Sequence, residues 1–573
     1  MRIYNKIVYD KDMNVIEEDS YEHKGPITKL KGGIPNPFKA VTKLISGIIG
    51  AVKGIVGAVI SVITSPFGVN LDVPDYDIGV DQTGSIQGVL VTKDSAVASI
   101  PVLYGKRMLG AIRVFVEAGT GDNNKYLYVA YVFCEGPVKG VDKIMLDDND
   151  AGIVAGDLTH GDEVAVTTGK YANRLSLQFF NGKNNKNGTG SQIASSLLQD
   201  IDTAKWTANH KLEGLCYIAA RFEWIEGTTN DEIKANPYLG NVPGMIAEIE
   251  GRKIYDATGL GSTHTTAYED ETLTTDSDKM ANPVSCLLDY LRNPTFGKGL
   301  SNDNFNWATW NTAADLCNQT VSYDNYENTK AFTTNHVVDT SISLMTNTKI
   351  LLASFRGIMP YQGGKYSLKI EHGGDDTDIT ATPADPTTVM TVTNDHIIGG
   401  LSLDGESKQQ KCNRLITTWV NPDEDYQPDE VAFPLPGSAL DTTYLAEDNG
   451  VRLEKRITLP FCTSLAIAEQ QAVVYLRKSR TQKLIQFTTN LASSNVVVGD
   501  LIRVINEHLS LDGKFRVMDI KISTAGFIDI RAIEHQAGHY GIGATGIEYI
   551  KPILNLPDPT SVQPITGLTA TNV

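Results

Sequence analysis

Three short patterns in this sequence carry residue types at spacings that chemistry uses. His535 and His539 stand four residues apart with Glu534 adjacent, the spacing by which a helix offers two imidazoles to zinc. They follow the strand-like run FIDIRAIEH and flank Gly538, and no glutamate lies between them to act as a metalloprotease base. The expectation is a pair of surface histidines at a strand end. GIGATG at 541–546 fits G-x-G-x-x-G, but a dinucleotide needs a helix N-terminus directly after the glycines to hold its pyrophosphate. The following IEYIKPILNLP is short and broken by proline, which predicts a flexible glycine loop. DDNDAGIVAGDL at 147–158 begins like a calcium loop with Asp147, Asn149 and Gly152, then places Ala151 at a ligand position and Leu158 where the bidentate glutamate belongs. A turn is expected. No G-x-S-x-G elbow, P-loop or H-E-x-x-H occurs, and 68 acidic residues guarantee chance carboxylate pairs. No catalytic, cofactor-binding or metal-binding residue is therefore predicted.

The chain behind these patterns has 573 residues, enough for several domains. Its 51 Gly and 23 Tyr favour a β-rich, loop-rich architecture, mainly β with α+β units. A net charge of −18 excludes broad phosphate neutralisation, so any contact with DNA should be non-adhesive. The six cysteines (Cys134, Cys216, Cys286, Cys317, Cys412, Cys462) lie far apart in apolar runs with no metal-ligand spacing, which predicts reduced core residues. The polar N-terminus is not a cleaved secretory signal, and the chain is expected to fold in a cytoplasm.

Residues 1–33 alternate around Ile3, Ile7 and Tyr9, turn at 10–14 and resume at Val15, a hairpin pattern. Strand runs such as KYLYVAYVFC and MIAEIEGRKIYD fill 70–265, with an exposed loop expected at 181–190. Asn282 as N-cap and Pro283 at the first helical position open a helix over PVSCLLDYLRN, and a second follows in NFNWATWNTAADLCNQ. DTSISLMTNTKILLASFRG places Ile342, Met345, Lys349, Leu352 and Phe355 near one helix face, and Gly363-Gly364 supplies a tight hairpin turn after it. A helix at about 465–479 capped by Ser464 precedes a compact small barrel at 483–534.

GSIQGVLVTKDSAVASIPVLYGKRMLGAIRVFVEAG (84–119), NKYLYVAYVFCEGPVKGVDKIMLDD (124–148), NPVSCLLDYLRNPTFGKGLS (282–301) and GDLIRVINEHLSLDGKFRVMDIKI (499–522) follow one another in an order that resembles the hub portion of phage tail-tip proteins. That is the family of the lambda-type host-specificity protein J, and EGPVKG at 135–140 is the most diagnostic element. The resemblance implies a structural, non-enzymatic homotrimer at the virion tail tip, built from tandem tube-like β-domains, closing the tail tube and gating genome delivery. It implies distal tail, tail-tube and tape-measure proteins above, tip fibre or receptor-binding proteins and the host cell envelope below, and DNA only as passing cargo. Along the chain the expected division is a hairpin segment at 1–33, a hydrophobic helix at 34–69, both outside the resemblance, and a first hub domain at 70–280 with an inserted subdomain around 145–210. A helical connector at 281–330, a second hub domain with helix on sheet at 331–480 and a small barrel at 481–545 follow. Residues 546–573 form a linker toward a fibronectin type III-like domain.

The resemblance does not reach FKAVTKLISGIIGAVKGIVGAVISVITSPF at 38–67, which has no acidic residue. Val41, Ile48, Ile55 and Val62 occupy one heptad core position and Ile45, Val52 and Val59 the other. β-Branched residues at both positions favour three or more strands. Gly47, Gly50, Gly54 and Gly57 lie on the back and cost about 2–4 kcal/mol together against alanine, so the helix needs packing on both sides. A buried trimer-axis or lumen helix is the expectation; Lys53 near the middle weighs against a membrane span. A segment released into a host membrane and a helix covering its own β-domain are the alternatives. At the level of function the rivals are a membrane-active penetration protein acting through 38–67 and a tail-associated cell-envelope hydrolase.

Overall fold

The computed structural model describes residues 2–9, 15–22, 92–93 and 98–541, the last with short gaps of which 225–236 is the longest. The chain divides into a unit of residues 1–69 and a unit of residues 70–573. In the first, β1 (Arg2–Tyr9) and β2 (Val15–Glu22) pair antiparallel, with Ile3 opposite Tyr21 and Ile7 opposite Glu18. The heptad residues Val41 to Val62 and their glycine back lie outside the described residues. Among the described residues no helix is long and apolar enough to cross a membrane.

The second unit starts with a β-sandwich. Its strands are β3 (Val102–Tyr104), β4 (Lys106–Gly110), β5 (Ile112–Ala118), β6 (Tyr126–Glu135), β7 (Val138–Leu146), β8 (Asn149–Asp150), β9 (Glu163–Ala165), β10 (Leu175–Asn181), β11 (Leu215–Glu223) and β12 (Met245–Arg252). One sheet runs β5-β6-β11-β10-β9 and the other β4-β12-β7-β8. β6 and β10 are buried on both faces because both faces are covered. Val129, Tyr131 and Ile218 face the second sheet, while Ala130, Val132 and Tyr217 face a cover made by Leu197, Leu198, Ile201 and Trp206. A bulge in β6 turns the consecutive residues Phe133 and Cys134 into the same core, where Cys134 lies opposite Cys216. All six cysteines are free and buried, as their apolar settings predicted.

A helical layer follows: α1 (Pro283–Arg292), α2 (Trp307–Asn318) and α3 (Leu344–Ala353). Between α2 and α3, β13 (His336–Val338) returns to pair with β3, so the layer is stitched to the sandwich. Of the face predicted for α3, Leu352 and Phe355 are buried as expected, but its N-terminal part is not. Ile342 and Met345 are about 40% and 39% exposed, whereas Asn347, Ile350 and Leu351 are buried. The side chain of Asn347 donates to Tyr290 Oη at 3.0 Å and to the Asp339 carbonyl at 2.9 Å, which ties this side of the helix to α1. The predicted Gly363-Gly364 turn is present, with φ of +61° and +82°, joining Tyr361–Gln362 to Lys365–Tyr366.

The last strands are β14 (Met390–Val392), β15 (Ile397–Gly405), β16 (Arg414–Asn421), β17 (Gln427–Phe433), β18 (Glu454–Thr458), β19 (Lys483–Thr489), β20 (Leu501–Asn506), β21 (Leu511–Ile522) and β22 (Ile528–Glu534). The helices α4 (Ala439–Glu447) and α5 (Leu465–Arg480) lie among them. β17-β16-β18 is a small sheet on which α5 packs through Ala468, Ala472, Val473 and Leu476. Ser464 occupies the N-cap position of α5 but its side chain makes no capping hydrogen bond. The other sheet runs β14-β20-β21-β22-β19-β15. Its two edge strands are consecutive in sequence, with Val392 five residues from Ile397. Five residues span at most about 18 Å, whereas the edges of a flat six-stranded sheet stand about 24 Å apart. The sheet is therefore curled into a partly open barrel, and it draws 390–405 into the strands predicted at 483–534.

Candidate functional site

α1 begins where Asn282 Oδ1 accepts the amides of Val284 at 3.0 Å and Ser285 at 3.3 Å, with Pro283 first in the helix. All ten of its residues are buried, including Asp289 and Arg292. Burying those charges demands partners, and each has them. Arg252, at the end of β12, donates through Nε to Asp289 Oδ2 at 3.0 Å, through Nη1 to the Gly136 carbonyl, and through Nη2 to Tyr268 Oη at 3.2 Å. Tyr104 Oη donates to Asp289 Oδ2 at 2.7 Å and Tyr268 Oη to Oδ1 at 2.6 Å. Burial by itself would lower the affinity of Arg252 for its proton, but Asp289 reverses that and holds the guanidinium charged. Burial, and then the charge of Asp289, push the Tyr104 hydroxyl well above its ordinary value. A second buried pair, Arg292 with Glu271, sits beside it, and His264 meets Glu271 at 2.7 Å.

This network joins three separated stretches. Gly136 lies in EGPVKG, Arg252 in MIAEIEGRKIYD and Asp289 in PVSCLLDYLRN. Gly136 is required by close packing, since a Cβ there would come within 2.5 Å of Gly182 Cα. Two stretches that carried the family resemblance are thus in contact through one arginine.

A second junction centres on Glu371, which is 2% exposed and directly follows the core residue Ile370. Lys478 of α5 reaches it at 2.6 and 2.8 Å, Tyr540 Oη donates at 2.7 Å, and Arg516 Nε of β21 lies 3.9 Å away. Burial pushes the Glu371 carboxyl up, but Lys478 and Arg516 outweigh it and hold the group at about 2. Glu371 thereby touches the helical layer, α5 and the barrel at one point.

His535 and His539 belong to this junction and are buried, 6% and 8% exposed, rather than the surface pair predicted. His535 stacks on Tyr540 and contacts Arg516 at 3.4 Å, and His539 meets Thr481 Oγ1 at 2.7 Å. Burial first, and then neighbouring cations, push His535 down to about 2 and His539 to about 4, so both are neutral. The sequence hid this because Arg516 and Thr481 come from other segments. Of GIGATG, only Gly541 is described. In the calcium-like stretch Asp147 and Asp148 have φ of 45° and 62° and form the two-residue turn between β7 and β8. Asp147 Oδ1 accepts the Gly244 amide at 2.7 Å and Asp150 Oδ1 the Gly152 amide at 2.8 Å. Among the described residues no group of three or more His, Cys, Asp or Glu is arranged to hold a metal. Each buried carboxylate at the two junctions meets at least one cation, and the arrangement fixes elements together.

The sequence matches the family described as "Putative phage tail protein" over residues 371–520, about a quarter of the chain, beginning at Glu371. It is 22% identical over 477 residues to the baseplate hub protein pb3 of Escherichia phage T5, covering 73% of this chain and 45% of pb3. The chain thus spans less than half the length of that relative. A chain in the virion of a native gene transfer agent particle has a related fold, with a TM-score of 0.51 at 11% identity over 79% of this chain and 88% of that one. This chain is similar to structural proteins of phage tails and baseplates, and these relatives are named as virion components rather than enzymes. The matches bear on tail and baseplate proteins as a class, not on the lambda-type protein in particular.

Proposed function

We propose that this chain is the structural hub of the tail tip or baseplate of a long-tailed phage, of the kind to which the hub portion of the lambda-type protein belongs. The long match to a baseplate hub protein carries the reading. In this proposal three copies close the tail tube, contact distal tail, tube and tape-measure proteins on one side and fibres or receptor-binding proteins on the other, and gate genome release at the host envelope. The heptad residues Val41, Ile45, Ile48, Val52, Ile55, Val59 and Val62 pack around the three-fold axis, with Gly47, Gly50, Gly54 and Gly57 against a second surface. The net charge of −18 suits a wall past which DNA moves without sticking. Electron microscopy of intact tails tests this: three copies in a ring at the end of the tube are expected. A single copy, or neighbours other than tube proteins, would sink it.

A further inference from the structure

Three observations about the barrel converge. Its buried apolar residues all lie between Val392 and Ala532, and none is shared with the cores of the sandwich, the helical layer or α5. The bonds that tie it to its neighbours are polar: the Glu371 cluster, the Lys369–Asp500 ion pair and Arg516 Nη2 to the His372 carbonyl at 3.1 Å. Beside these bonds a cleft of about 610 Å³ opens, with Ala308, Thr312 and Leu316 of α2 on one wall and Val389, Leu501 and Arg516 of the barrel on the other.

Polar seams within a chain open at low cost because water replaces the bonds broken, and relative motion is their default behaviour. A cleft along the same seam separates the barrel from α2. Where α5, the helical layer and the barrel meet, one buried carboxylate, Glu371, stands between two cations, Lys478 of α5 at 2.6 Å and Arg516 of the barrel at 3.9 Å. Without the Glu371 charge those cations face each other unneutralised, and their repulsion favours separation.

We infer that the six-stranded barrel moves as one body against α2 and α5, and that Glu371 is the latch that holds it in the closed position. The latch acts within one chain and does not depend on the hub assignment or on oligomeric state. Its loss would change the width of the cleft while leaving the barrel's own strands paired.

The test is a distance measurement on the full chain, spin-labelled through Thr312→Cys on α2 and Thr387→Cys on the barrel side of the cleft. The six native thiols are buried and are not expected to label. In the otherwise unaltered protein a short distance should dominate; with Glu371→Gln a second, longer distance should become the major population. Hydrogen exchange should then speed at least tenfold at 478–481 and 536–541 but stay unchanged in β20 to β22. Lys369→Met removes only the part-exposed Lys369–Asp500 pair and should raise the longer population less strongly, which keeps the test available should Glu371→Gln fail to fold. The inference is overturned if neither variant alters the distances, or if the barrel strands lose protection together with the seam.

Discussion

Single buried charges set how this chain responds to pH and to substitution. Glu469 on α5 is 6% exposed, and burial alone raises its carboxyl to about 8 from an ordinary 4.5. The folded state therefore binds a proton that the unfolded chain has released between those values. This group's contribution to stability is full below about 4.5 and declines as pH rises toward 8. Glu469→Gln should remove that decline, so urea unfolding at pH 5 and pH 8.5 should show the variant gaining on the parent at the higher pH; an unchanged difference would refute it. Glu371 has the opposite sign: its contribution is full above 4.5 and is lost as pH falls toward about 2. At the other junction, Asp289→Ala leaves Arg252 buried without its anion and should cost about 3–5 kcal/mol in denaturant unfolding. Arg252→Met with Asp289→Leu should recover most of that loss, whereas additive costs would show that the pair is not coupled.

Elements whose ends carry their own chemistry are legible in the sequence itself. Asn282-Pro283 starts α1 as read, and Gly363-Gly364 turns its hairpin, because caps and positive φ are decided by adjacent residues. Asn282→Ala should cost roughly 1–2 kcal/mol by calorimetry, since it removes the cap and also a bond to the Ala314 carbonyl. A loss below a few tenths would mean that water replaces the cap. What stayed hidden was decided across the chain. The N-terminal part of the buried face of α3 follows from Asn347 meeting Tyr290, and no spacing within 339–357 contains that information. Arg252, Asp289, Glu371 and Lys478 were missed for the same reason. Their one local signal was a charge inside an apolar run, such as Asp289 within Leu287, Leu288, Tyr290 and Leu291. Likewise, β14 and β15 pair with strands that begin only at Leu501 and Lys483, so their barrel membership shows only in the pairing.

At the scale of the whole molecule, assembly should rest on the heptad stripe and not on the described core. Ile48→Asp should convert a trimer to a monomer in native mass spectrometry while the melting of residues 98–541 is unchanged; a trimer that persists would remove 38–67 from the assembly. The curled sheet has a further consequence, which concerns time. β15 leaves the ribosome more than a hundred residues ahead of β22, with β16 to β18 and α5 made in between. At about 5–20 residues per second it waits on the order of ten seconds for its sheet. A strand kept waiting is a hazard if it is apolar and uninterrupted. Its sequence, IIGGLSLDG, breaks the apolar run with two glycines, a serine and an aspartate. Gly400 has open space around it and no positive φ, so the fold does not require glycine there. Gly400→Val should therefore lower the soluble yield of cell-free synthesis without lowering the melting temperature of the chain that does fold. On this account part of the sequence of β15 answers to the interval before the barrel exists.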